Sequence, residues 1–386
     1  MLIEAPRHAE IFGSVKIYDV QKVLKLESKE IEGPLLRSIG REQIEEVLEK
    51  LSIVIPIKNE KIKLLDGVLK AIPDACQIIV VSNSSRTGHD VFRMEADVIT
   101  HFHSLTKHPI CIIHQKDPGL ALAFKEVGYT SILDESGFVR DGKAEGMITG
   151  TLLAKCLEKD FVGFIDADNY IPGAVNEYVK DFAAGFCMSE SPYSMIRLHW
   201  KHKPKIVKSR LYFRKWGRVS EITNKYLNFL LSNCTGFETD IIKTGNAGEH
   251  AMTMELASIM CYSTGYSIEP YQLVYLLEEF GKGETECRDV VNSGVEILQI
   301  EMLNPHLHEE KGEKHIKDML LGLLSTIYHS KLCNEYLKSK ILEELRTNNA
   351  IGQEQAPKKN LIIPPIKDID IKKFIKVLEG GYIYPH

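Results

Sequence analysis

The chain has 386 residues, a length that suits two or three domain-sized units or one large domain with an appendage, and at 44% hydrophobic and 26% charged it has the composition of an ordinary globular protein. This excludes a mainly disordered chain, a collagen-like fibre and a small disulfide scaffold, and no apolar run approaches the roughly 20 residues of a membrane span. A formal net charge of −5 argues against a general nucleic-acid coat, so any anion-binding surface must be local.

The opening stretch MLIEAPRHAEIFGSV has no basic segment followed by an apolar one, so no signal peptide is expected. Residues 1–48 read as a lead-in that ends in an amphipathic helix over 41–50. LSIVIPIKNE (51–60) is a continuous apolar run closed by a polar turn, the mark of a strand buried on both faces. A helix over 61–72 follows, then apolar runs at 77–85, 109–115 and 161–166. Between the last two, GKAEGMITGTLLAKCLE (142–158) has helical spacing in Met147, Ile148, Thr151, Leu152 and Cys156. Strands alternating with helices predict an α/β fold with a mainly parallel, Rossmann-like sheet. Ligands bind such sheets outside the carboxyl ends of the strands. Polar residues collect there: Lys58-Asn59-Glu60, Asn83-Ser84-Ser85, Gln115-Lys116-Asp117 and Asp166-Ala167-Asp168.

Beyond Pro172 the alternation loosens, which places a soft boundary between units 49–172 and 173–312. Helices are expected over 220–231, 249–260 and 269–280, a strand running into a polar loop over 295–312, and two amphipathic helices over 316–345. Those two helices either pack on the core or form a homodimer contact, and 313–386 forms the last unit. The eight cysteines include no CxxC pair, which suits buried thiols in a reducing, cytoplasmic compartment.

Five constellations carry chemistry. In Phe164-Ile165-Asp166-Ala167-Asp168-Asn169, an apolar strand delivers two carboxylates to its mouth, where Mg²⁺ or Mn²⁺ can bridge them to a diphosphate. The competing reading is an Asp turn or cap before Pro172. From Arg197 to Arg218 run nine cations without one Asp or Glu. That window fits a phosphorylated small-molecule acceptor, with a solvated loop or an aromatic-interleaved nucleic-acid arm as alternatives. In Asn304-Pro305-His306-Leu307-His308-Glu309, a neutral imidazole could join a metal held by Asp168, or both histidines are plain loop residues. Thr244-Gly245-Asn246-Ala247-Gly248-Glu249-His250 is expected to open a helix, giving an anion or sugar-hydroxyl site or an ordinary turn. Lys143, at a helix start, can reach a diphosphate or lie in solvent.

In this order, IVIPIKNE, VVSNSS, HQKDPGLA, RDGKAEGM, GFIDADNY, WGRVSE, TGNAGEHA and NPHLHEEKG resemble the mannosyl-3-phosphoglycerate synthases, retaining glycosyltransferases of the GT-A nucleotide-sugar-binding fold. The resemblance implies GDP-mannose as donor, 3-phosphoglycerate as acceptor, and Mg²⁺ (or Mn²⁺ or Co²⁺). It implies donor-binding roles for Pro56, Lys58, Glu60, Asn83, Gln115, Lys143, Asp166, Ala167 and Glu249. Metal ligation falls to Asp168 and His308, with His306 as the competing choice. Arg218, Val219 and Ser220 match the acceptor motif, with Ser where the family pattern has Thr. Asp168, Lys143 and Arg218 are the expected catalytic groups, acting in a front-face attack; double displacement is the alternative mechanism. Related glucosyl-3-phosphoglycerate and mannosylglycerate synthases share the skeleton. A polysaccharide or glycolipid glycosyltransferase is the nearer alternative, disfavoured by the lack of membrane spans. A sugar-1-phosphate nucleotidyltransferase would show a Gly-rich loop after the first strand, where this chain has Pro-Ile-Lys-Asn-Glu. A non-catalytic sensor would not need metal, donor and acceptor groups together.

Overall fold

The computed structural model describes residues 2–4, 9–20, 36–200, 203–207, 210–214, 218–282, 285, 287–309 and 312–378. A nine-stranded sheet forms its centre. In chain order the strands are β1 (Ala9–Phe12), β2 (Val15–Val20), β3 (Leu51–Ile57), β4 (Gln77–Ser82), β5 (Ile110–His114), β6 (Phe161–Phe164), β7 (Tyr193–Trp200), β8 (His250–Thr253) and β9 (Val295–Met302). Across the sheet they run β1-β2-β9-β7-β8-β6-β3-β4-β5. The pairs β2–β9, β9–β7, β6–β3, β3–β4 and β4–β5 are parallel. Only β1 and the inserted β8 run against their neighbours. The expected mainly parallel α/β sheet is therefore present, and it includes strands from both sides of Pro172.

Alternation along each buried strand sends side chains to two apolar layers. Ile53, Ile55, Ile78 and Val80 pack with the helices Ile62–Ala71, Val91–Thr106 and Pro172–Met188 on one face. Val54, Ile79, Val81 and Ile113 pack with the helix Lys143–Cys156 on the other. That helix lies so close to the sheet that a Cβ on Gly150 would fall 2.3 Å from Val54 Cγ1, which only glycine avoids. The helices Glu313–Tyr328 and Glu335–Thr347 bury Leu320, Leu323, Leu324, Leu337, Ile341 and Leu345 in the same core. Their apolar faces thus pack within the chain.

One expected element is different. The stretch 249–260, read as a helix, is the strand β8 followed by a short helix, Met254–Ile259. HAMTMELASIM is mostly apolar with no clear period of two, and periodicity alone does not separate a short buried strand from a buried helix. Pairing decides it: His250–Thr253 fills the gap between β6 and β7, with all four residues buried. Thr253 then caps the short helix by accepting from Leu256 N–H.

Candidate active site

At the mouths of β3 and β4 the chain is tied by short polar contacts. Asn59, with φ +54°, turns the backbone; its N–H donates to Ser84 Oγ (2.7 Å), and its side-chain oxygen accepts from Ser85 N–H (2.8 Å). Ser82 and Ser84 both donate to Glu95, at 2.6 Å each. Burial pushes the Glu95 carboxyl above its ordinary value, against the opposing pull of the two hydroxyls. Asn83 donates to Asp141 (3.1 Å). Gln115 donates to the carbonyls of Arg140 and Gly142. A Cβ on Gly146 would contact both Gln115 and Pro56, so these two expected donor residues converge on the start of the Lys143–Cys156 helix. Lys58 lies exposed at the rim, with Glu60 half-buried beside it.

Lys143 is not solvated. Its ammonium lies 2.6 Å from Asp166 Oδ1 and 3.0 Å from Glu269 Oε1, with its side chain 20% exposed. Burial disfavours the charge, but Asp166 and Glu269, with Glu249 behind them, outweigh it and hold the group well above the ordinary lysine value. Gly248 closes over this pair, and a Cβ there would fall 2.6 Å from Asp166 Oδ2. Asn169 bridges the Asp-x-Asp loop to its neighbour, donating to Asp166 O (2.8 Å) and to Glu249 Oε1 (3.2 Å). Glu249 is 2% exposed. Ala167 is buried and Asp168 half-buried. The loop Thr244–Glu249 therefore faces the donor residues, but it leads into β8. The expected helix N-terminus, and the dipole argument built on it, fall away.

A divalent ion fits this donor set. Asp166 and Asp168 follow directly on β6 and bring carboxylate oxygens to its mouth, the donor type with which Mg²⁺ and Mn²⁺ use one or two carboxylates and complete their shell with phosphate and water oxygens. The backbone brings the two expected ligand segments together. Tyr170 N–H donates to Leu307 O (3.2 Å), and His308 pairs in register with Lys205. The His308 side chain lies outside the described residues. His306 is buried, packs its ring 4.6 Å from Trp200 and places Nδ1 3.8 Å from Glu249.

The basic window divides. Arg197 faces the core: it is fully buried and donates to Thr244 O (2.7 Å), Glu269 O (3.0 Å) and Gln272 Oε1 (2.8 Å). Desolvation pulls its guanidinium down to about 10. The remainder forms the hairpin Lys203–Val207 and Arg210–Arg214, with 201–202, 208–209 and 215–217 outside the described residues. Arg218 opens the helix Arg218–Thr235; its side chain also lies outside. Val219 is buried and Ser220 half-buried. Ser220 lines a small cavity with His199, Trp200, Lys243 and Asn246. Asn224 and Asn228 on that helix fasten the segment 241–245 by paired main-chain bonds of 2.8–2.9 Å. Glu269, Glu95, Lys243 and Asn224 were not singled out in the sequence. Glu269 and Lys243 act through partners 126 and 224 residues away, Glu95 and Asn224 across a neighbouring element, and only the acid in the first turn of the 268–280 helix hints at Glu269.

Relatives are found along nearly the whole chain. The family model described as Mannosyl-3-phosphoglycerate synthase matches residues 5–378. A mannosyl-3-phosphoglycerate synthase of Pyrococcus furiosus is 58% identical over 385 residues, covering 99% of this chain and 98% of the relative. One from Aeropyrum pernix is 39% identical over 362 residues, 93% of this chain and 92% of the relative. Among solved structures, glucosyl-3-phosphoglycerate synthase of Mycobacterium tuberculosis in complex with Mn²⁺, UDP and phosphoglyceric acid aligns with a TM-score of 0.52. That alignment is 17% identical and covers 84% of this chain and 94% of that one. At that identity the likeness shows the fold, a glycosyltransferase fold of the GT-A type.

Proposed function

The chain belongs to the mannosyl-3-phosphoglycerate synthase family of glycosyltransferases, and from that premise we propose that it moves mannose from GDP-mannose to 3-phosphoglycerate with retention of configuration. The observation that carries the reading is the Lys143–Asp166 pair at the mouth of β6, beside Asp168 and under Glu249. Pro56, Lys58, Glu60, Asn83 and Gln115 hold the nucleoside; Lys143 meets the diphosphate, with Asp166 on the donor side holding Lys143; Glu249 accepts from donor-sugar hydroxyls. Residues 49–172 thus supply most of the donor side and 173–312 the acceptor side. Arg218, with Val219 and Ser220, orients the acceptor through its phosphate or carboxylate, each charge-assisted bond contributing roughly 1.5–3 kcal/mol.

Asp168 and His308 would hold the divalent cation, Mg²⁺ or equally Mn²⁺ or Co²⁺. When bound, it supplies Lewis-acid neutralisation of the leaving diphosphate. Lys143 keeps its proton throughout and meets the same developing charge as an ammonium. The acceptor hydroxyl attacks on the face that GDP leaves, and its proton passes to the departing diphosphate. The manganese in the tuberculosis enzyme's complexes supports the class of metal. Among the described residues no helix is long and apolar enough to cross a membrane. The proposal places the enzyme in the cytoplasm, where free thiols such as its own cysteines persist. A homodimer is a separate proposal, tested by sedimentation.

The test is turnover of purified protein with GDP-mannose, 3-phosphoglycerate and Mg²⁺, with chelator and plain D-glycerate as controls. Metal-dependent GDP release that requires the phosphorylated acceptor is the expected result. Equal activity with D-glycerate, or turnover only with a UDP-sugar, refutes the substrate assignment.

A further inference from the structure

Where Lys143 sits, the site holds more carboxylate than one ammonium needs. Asp166 at 2.6 Å would neutralise it alone, yet Glu269 makes a second contact at 3.0 Å, with Glu249 close behind. Buried Arg197 beside Glu269 and the Asn169 amide on Glu249 answer part of that charge. The second contact on Lys143 adds something other than charge balance.

Its placement says what. Glu269 is 4% exposed, in the first turn of the helix Ile268–Phe280. Its main-chain carbonyl is held by Arg197 Nη2 at 3.0 Å, and the same buried guanidinium fastens Thr244 O and Gln272. Gln272 in turn hydrogen-bonds His250 (2.9 Å). The carboxylate thus stands on a platform pinned to β7, β8 and the loop that carries Glu249. Lys143 is the opposite case: a flexible four-carbon stem with a rotatable head, following Gly142. Anchored by Asp166 alone, its head could swing about that one partner. Contacts from the β6 loop and from a separate helix fix it from two directions.

We propose that Glu269 is a positioning residue for Lys143, holding its ammonium where the leaving diphosphate meets it. This rests on the assignment of Lys143 to the donor diphosphate. Two substitutions separate placement from charge. Glu269→Asp keeps the charge but falls one methylene short of Lys143; Glu269→Gln drops the charge but keeps an acceptor oxygen at full reach.

The experiment measures kcat and KM for GDP-mannose, and KM for 3-phosphoglycerate, in E269D, E269Q, K143M and the two double variants. In E269D, kcat/KM for the donor is expected to fall about tenfold with acceptor KM unchanged. E269Q is expected to retain most of it, and the E269D loss is expected to vanish in the K143M background. The reverse order of E269D and E269Q, an equal E269D loss without Lys143, or full activity in E269D overturns the proposal. A K143M enzyme that uses the donor normally would instead overturn the assignment of Lys143, which keeps the two failures distinct.

Discussion

Adding one methyl group to Gly248 tests the heart of the site. A Cβ there lands 2.6 Å from Asp166 Oδ2 and 3.1 Å from Lys143 Nζ. A relaxed carbon–oxygen contact is about 3.3 Å, so one partner must retreat by about 0.7 Å. The loop has little room to do so. Ala247 N–H is bound to Thr244 O (3.2 Å), Ala247 O accepts from His250 Nδ1 (3.0 Å), and β8 begins at His250. The movement therefore falls on the Asp166 carboxylate and stretches its 2.6 Å pair with Lys143 to about 3.3 Å, past the range of a strong N–H···O bond. A charge-assisted bond is worth about 1.5–3 kcal/mol, which converts to about a ten- to hundredfold fall in kcat/KM for the donor. Steady-state kinetics of G248A, alongside thermal melting, measures this. Wild-type kcat/KM in a G248A protein with an unchanged melting temperature would refute the reasoning.

Four further outcomes follow from the same contacts. Arg218→Ala is expected to raise KM for 3-phosphoglycerate about ten- to hundredfold and to leave GDP affinity unchanged in calorimetry; loss of GDP binding with acceptor binding intact would contradict the assignment. Asn224→Ala strips partners from the buried Lys243 carbonyl and Gly245 N–H and should cost about 1–3 kcal/mol in urea unfolding. Burial, reinforced by Arg197 and Lys143, holds the His250 imidazole well below its ordinary value. Its stabilising contribution is then complete above the unfolded histidine value of about 6.5 and lost as pH falls below it, so wild type should lose stability between about pH 7 and 5 and H250Q should lose less. Chelation should stop turnover, and restoring Mg²⁺ should recover it, since the cation supplies the Lewis-acid neutralisation of the leaving diphosphate; full turnover in excess chelator would contradict the metal assignment.

The parallel half of the sheet was legible because strands covered on both faces must be apolar throughout, as in LSIVIPI and QIIVVS. The positions of Asp166 and Gln115 were legible for a related reason: polar residues that break such runs fall at the strand mouths; Lys143 was marked instead by the glycine-bounded start of its helix. β8 was not legible, because its four residues carry no local mark of a strand and depend on neighbours about 50 and 90 positions away in sequence. The same distance hid Glu269, whose partner is 126 residues upstream, and disguised Arg197, a cation in a basic window that turns inward to bind carbonyls. Composition can name a charged stretch; only packing says which of its charges face water.

The inserted strand also has a consequence for how the chain is made. β6 is complete once Phe164 has been synthesised, but the strand that covers its open side begins only at His250. At about 5–20 residues per second, roughly 4–17 s of translation separate the two. Throughout that interval a buried apolar strand presents unpaired backbone groups, the kind of exposed edge that recruits other chains. The newborn N-terminal half therefore carries an open edge that the finished fold closes, and a stall between codons 164 and 250 lengthens that exposure.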